Sequence, residues 1–147
     1  ILAHHRGLPV EHFIAACNVN DVVPEYLRTE ILQPKETVAT ISNAMDVGDP
    51  SNFVRILELF DKEFNQVKNK LSGYTIDDEE TLKTIKRVEK DYGYVLDPHG
   101  AVAFVALEKY LTKNDGKGFF LETAHPVKFP DSVEQATGKS VEIPKSL

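Results

Sequence analysis

Residues 42–53, SNAMDVGDPSNF, crowd hydroxyl, amide and carboxylate groups together and interrupt them with Gly48 and Pro50. Gly48 and Pro50 make the backbone turn sharply, and the apolar positions Phe53, Ile56, Leu57, Phe60 and Phe64 follow at helical spacing, so the polar groups arrive at the mouth of a helix. Ser42, Asn43 and Asp46 there could bind and orient a polar small molecule. On residue types alone, the same loop serves as the entry to a helix in any α/β protein, with Ser51 or Asn52 accepting a bond from an early amide. Two further polar stops have the same form. Asn18 and Asn20 end the apolar run 12–17, and Thr123 and His125 end the run beginning at Phe119.

The elements that must hold these groups follow from periodicity. The run 12–17 predicts a strand covered on both faces, residues 37–41 have the β-branched composition of a second, and 119–123 predict a third. Helices are expected over 22–30, from Phe53 onward with the charged stretch 61–73 either continuing it or breaking into a second short helix, over 76–92, and from Pro98 with Asp97 as its cap. Asn20 or Asp21 is a cap for the helix at 22, and acids crowd the first turn of the helix at 76 before Gly93 stops it. Gly100, Ala101, Ala103 and Ala106 permit close packing of the helix at 98. Asp131 and Ser132 are expected to cap a short helix through Ala136, and 138–147 to run extended. Alternating strand and helix predicts an α/β, three-layer α/β/α domain over 1–147 with a mostly parallel sheet. In such a sheet the three polar stops, Asn18 to Asp21, Ser42 to Asp46 and Thr123 to His125, converge on one pocket at the carboxyl ends of the strands.

Composition narrows the partners. With 147 residues and 41% hydrophobic content, the chain can bury a core of its own. The net charge of −6, with lysines and arginines interleaved among acids at helical spacing, points away from nucleic acid and towards solvated helix faces. There is no apolar run long enough to span a bilayer and no signal-peptide pattern, so a cytoplasmic protein without a membrane partner is expected. Cys17, the single cysteine, sits in an apolar run and reads as an inert thiol. No histidine, cysteine or carboxylate spacing makes a metal site. His99 and His125 read as structural groups at a helix start and after a strand. Residues 1–6 read as the last turns of a helix stopped at Gly7, which leads us to expect a chain that begins within a domain of a longer polypeptide.

Four strings resemble threonine synthases, pyridoxal-phosphate enzymes of the tryptophan-synthase-β-like fold (fold type II). They are GLPV with FIAACNVNDVVP within 7–24, SNAMDVGDPSNF at 42–53, LDPHGAV at 96–102 and ETAHPVKF at 122–129, in the family's order and across nearly the whole chain. The resemblance implies that the chain is the carboxyl-terminal portion of such an enzyme's large domain. It implies that Thr123 meets the pyridine nitrogen of pyridoxal 5'-phosphate, and that Ser42, Asn43 and Asp46, with Asn18 and Asn20, lie near the substrate, O-phospho-L-homoserine, which the family converts with water to L-threonine and phosphate. The family's cofactor-anchoring lysine and phosphate-cradling loop lie upstream of the matched portion, and none of the lysines here sits in a comparable string. The chain alone is therefore expected to be inactive, with no catalytic residue of its own, and to self-associate artificially through apolar surface normally covered. A free-standing α/β module that binds a phosphorylated small molecule or a protein partner without catalysis is the alternative.

Overall fold

A computed structural model describes residues 1–144. Its centre is a two-stranded parallel sheet of β1, Phe13–Cys17, and β2, Leu71–Thr75, in the register Phe13↔Leu71 to Cys17↔Thr75. The described residues also form seven helices, α1 (Leu2–His5), α2 (Val22–Thr29), α3 (Phe53–Leu59), α4 (Phe64–Lys70), α5 (Asp78–Tyr92), α6 (Pro98–Leu111) and α7 (Pro130–Thr137), with 3-10 turns at Asn43–Met45 and Pro126–Lys128.

Strand periodicity sorts the core into layers. Phe13, Ala15 and Leu71 join Tyr26 and Leu27 of α2 with Phe53, Phe60 and Val67 of α3 to α4. Ala16 and Tyr74, of opposite parity, pack with Ile76 and with Val102 and Val105 of α6. The sheet thus has α2 on one face and α6 on the other, as a three-layer α/β/α arrangement requires. A third cluster joins Ile85 and Val88 of α5, Leu96, Ala101 and Ala136 of α7. β1 was expected to be fully covered, yet all five of its residues remain half-buried.

Two expected strands do not form. Residues 37–41 have strand composition, but side chains take their backbone groups. Asn20 brackets Val38, donating to its carbonyl from Nδ2 and accepting from its N–H at Oδ1, both at 2.8 Å. Asp46 Oδ2 accepts from Thr40 N at 3.0 Å, and the Asp78 carboxylate accepts from Ile41 N. With those groups satisfied, no ladder is needed. Residues 119–123 keep the two-residue alternation, Phe120 inward on Phe104 and Phe119 and Leu121 outward, but have no ladder partner among the described residues. Conversely β2 falls at the end of the charged stretch 61–73, which breaks into the second short helix expected as one of two outcomes, α4, and then forms a strand that was not expected. The chain breaks at Asp61 and Lys62, both with positive φ, turns through α4 and enters the sheet. Gly73 makes that strand possible, since a Cβ there would stand 2.6 Å from Pro24 Cα of α2.

Helix ends mostly follow the expected chemistry. Asp77 accepts from Glu80 N, Asp97 from His99 N with Pro98 in the first turn, and Gly93 closes α5 in the left-handed region. Three expected caps are corrected. α2 follows Asp21 without a side-chain cap bond, because Asn20 is spent on Val38 and Asp21 on Lys35 and Thr75. α3 follows Asn52 without one, and α7 begins at Pro130, so Asp131 and Ser132 lie inside its first turn. Residues 141–144 carry no regular structure, as expected of the tail, whose last positions 145–147 lie outside the described residues. No helix among the described residues is long and apolar enough to cross a membrane.

Candidate functional site

β1 ends at Cys17, and the next polar residues fold back as a knot. Asn18, 1% exposed, points its amide nitrogen at Thr40 Oγ1 (2.8 Å), Asp46 Oδ1 (2.8 Å) and Ser42 Oγ (3.1 Å). Its Oδ1 accepts from both the backbone and side-chain nitrogens of Asn20, each at 2.9 Å. Asp46 gathers Asn18 Nδ2, Asn20 Nδ2 (3.2 Å), Thr40 Oγ1 (2.7 Å) and Thr40 N. A carboxylate that accepts from several donors holds the turn over 42–46 rigid, and each bond to the charged group is stronger than a neutral one. The turn is closed at its far end where Lys35 N donates to Gly48 O and Gly48 N to Thr37 Oγ1.

The five residues expected near substrate are therefore brought together. Asn18, Asn20 and Ser42 are buried, Asp46 half-buried and Asn43 exposed. The buried ones spend their donors and acceptors on one another and so shape the turn, leaving Asn43 as the member whose side chain faces outward. Thr40 belongs to this knot and was not singled out in the sequence, where it read as an ordinary strand threonine.

Thr123 is exposed and lies elsewhere, on the wall of a cavity of about 670 Å³ shared with Tyr94, Glu122, His125, Val133 and Val141. The turn over 42–46 does not line that cavity, so the single pocket expected from three strand ends is replaced within this chain by two surfaces. His125 Nδ1 accepts from Val127 N at 3.2 Å, the structural part expected of it.

Between the two surfaces lies a buried cluster of titratable groups. Asp97, fully buried, accepts at Oδ1 from His99 N (2.8 Å) and His99 Nδ1 (2.6 Å). His99 Nε2 accepts from Ala44 N at 3.1 Å, so the imidazole is neutral with its proton on Nδ1. Glu122 Oε1 accepts from Asp97 N at 3.0 Å. Burial, reinforced by the neighbouring Asp97, pushes the Glu122 carboxyl up to about 8. Burial acts the same way on Asp97, but the hydrogen bonds from Glu122 and His99 outweigh it and hold Asp97 below the usual carboxylate value. Two carboxyls this close share one proton, carried on Glu122. Gly100 makes room for the pair: a Cβ there would stand 2.1 Å from Glu122 Oε2.

The remaining chemistry is quiet. Burial, and then Asp21, push the Cys17 thiol up to about 11, which leaves it protonated and unreactive near neutrality. Among the described residues no group of three or more His, Cys, Asp or Glu side chains could hold a metal ion.

Comparison with known proteins bears on the chain as a whole. Residues 100–147 match the family described as threonine synthase, C-terminal. The threonine synthase of Escherichia coli (strain K12) is 48% identical over 148 residues, covering 100% of this chain and 34% of its own length. That of Serratia marcescens is 45% identical with the same coverage. The chain thus spans about a third of the length of the curated relatives it matches. Among solved structures, the pyridoxal-phosphate-bound threonine synthase from Brucella melitensis superimposes with a TM-score of 0.90 at 28% identity, covering 99% of this chain and 36% of that one. The Escherichia coli enzyme gives 0.90 at 48% identity, covering 99% and 33%.

Proposed function

This chain belongs, in sequence and fold, to the carboxyl-terminal portion of the threonine synthase family, and on that premise we propose that it is one domain of a larger enzyme that makes L-threonine and phosphate from O-phospho-L-homoserine and water. The observation that carries the reading is its end-to-end likeness to threonine synthases, one of them bound to pyridoxal phosphate. When bound, that cofactor would supply an electron-withdrawing ring that acidifies carbons next to the substrate amine.

The residues present fit such a group. Thr123 offers a neutral hydroxyl at the wall of a cavity whose volume suits a small aromatic ring. A hydroxyl donates to a pyridine nitrogen without forcing a proton onto it, as a carboxylate would. Ser42, Asn43, Asp46, Asn18 and Asn20 form the substrate side, with Asn43 outermost and the others fixing the turn. Residues that bind an amino-acid phosphate need to be held rigid before it arrives, because ordering them afterwards would cost affinity.

The experiment is made in the full-length protein. Thr123→Val, which removes the hydroxyl at nearly constant volume, is expected to weaken cofactor affinity about tenfold, the worth of one neutral hydrogen bond. Unchanged affinity and an unchanged cofactor absorption spectrum would remove Thr123 from the cofactor site. The isolated polypeptide is expected to release no phosphate from phosphohomoserine, and to sediment as a concentration-dependent mixture because Phe119 and Leu121 are exposed. Phosphate release by this polypeptide alone, or a strict monomer, contradicts those expectations.

A further inference from the structure

The cluster between the two surfaces has no part in the reading above. It forms an unbroken line of contacts: Glu122 is the chain neighbour of Thr123, its Oε1 accepts from Asp97 N, Asp97 Oδ1 accepts from His99 Nδ1, and His99 Nε2 accepts from Ala44 N inside the turn. Nothing in the line is free to slide. His99 is 7% exposed and its ring lies 4.9 Å from that of Phe129. Asp97 and His99 stand at the start of α6, where Pro98 fixes the backbone. Asp97 Oδ2 and Glu122 Oε2 are buried with no nitrogen or hydroxyl partner, and a proton on Glu122 leaves the pair a single negative charge to bury.

We propose that His99, oriented by the Asp97–Glu122 pair, is a positioning residue that holds the 42–46 turn in register with the segment bearing Thr123. A helix start would need only Asp97 as its cap. The imidazole does something further: it presents an acceptor to Ala44 N, a backbone group 55 residues away in sequence. The carboxyl pair supplies what that acceptor requires, because an ionised Asp97 keeps the ring proton on Nδ1 and so leaves Nε2 bare. The proposal rests on the threonine synthase reading only in naming the two surfaces as cofactor side and substrate side.

The test uses two variants with opposite halves of the imidazole. His99→Asn keeps a donor near the Nδ1 position and loses the acceptor for Ala44. His99→Gln places a carbonyl oxygen near the Nε2 position and restores it. In the full-length protein, His99→Asn is expected to speed amide exchange at Ala44 at least tenfold and to raise the KM for phosphohomoserine about tenfold with kcat little changed. His99→Gln is expected to recover most of both. Equal behaviour of the two variants, or a fall in kcat at constant KM, overturns the proposal. Nitrogen-15 NMR of the unmodified protein decides the matter without a variant: a bare Nε2 and a protonated Nδ1 are expected, and the reverse tautomer overturns it. Exchange at Ala44 and the tautomer are read without turnover. A failure of the enzymatic reading would therefore show as absent activity with both intact, distinct from a failure of the positioning role.

Discussion

At the scale of single residues, buried amides and one shared proton carry the consequences. Asn18 sits among four acceptors and two donors with almost no exposure, so Asn18→Ala would strand Thr40, Asp46 and Asn20 groups away from water. A loss of about 2–3 kcal/mol in unfolding free energy is expected, measured from denaturant midpoints. Glu122 gives a pH dependence. Its carboxyl is raised from 4.5 to about 8 in the folded protein, so the native state holds a proton the unfolded state has shed. The stability from that proton is complete below pH 4.5 and is lost as pH rises towards 8. Asp97 acts in the opposite sense, contributing above its ordinary value of 3.8 and losing that contribution as pH falls further. The pair therefore contributes most between the two ordinary values. The groups that face it are His99 and Tyr94, and Tyr94 in turn is raised by burial and then by the two carboxyls. Glu122→Gln keeps a donor towards Asp97 at every pH. Thermal unfolding at pH 5 and pH 9 is expected to show a smaller loss at pH 9 in this variant than in the unmodified protein. Equal losses would mean that Glu122 does not carry the proton. In the sequence Asp97 was legible as a cap and His99 as a structural group. Their joint reach to Ala44 was not, because nothing local relates positions 44, 97, 99 and 122.

At the scale of elements, satisfaction of backbone groups decided what propensity could not. Residues 37–41 have better strand composition than 71–75, yet the second forms a strand and the first does not. Asn20, Asp46 and Asp78 occupy the first segment's amides, whereas Leu71–Thr75 finds β1 beside it and a glycine where α2 must approach. Gly73→Ala is accordingly expected to push α2 off β2 and cost about 1–3 kcal/mol, since a backbone atom of Pro24 stands in the way and cannot rotate aside. A change at an exposed helix start is milder. Asp77→Ala removes one side-chain bond to Glu80 N, and a loss of about 1 kcal/mol is expected by the same measurement.

At the scale of the whole molecule, the sheet is a partition with a distinct apolar cluster on each face, and Ile76, 0% exposed, lies in the α6 cluster just past the end of β2. Ile76→Ala is expected to cost about 3 kcal/mol through lost burial and an unfilled cavity, with cooperative unfolding retained. The sequence by itself determined the α/β class, the helices with strong periodicity and local caps, and the strand at β1. Each of these rests on residues close together in the chain or on the one repeating contrast of apolar and polar positions. Only the tertiary structure decided which extended segment joined the sheet, that Thr123 and the 42–46 turn face different surfaces, and that Asp97, His99 and Glu122 bridge them. Those outcomes depend on which distant group reaches a buried amide or carboxylate first, a competition settled by three-dimensional proximity and invisible to any local window.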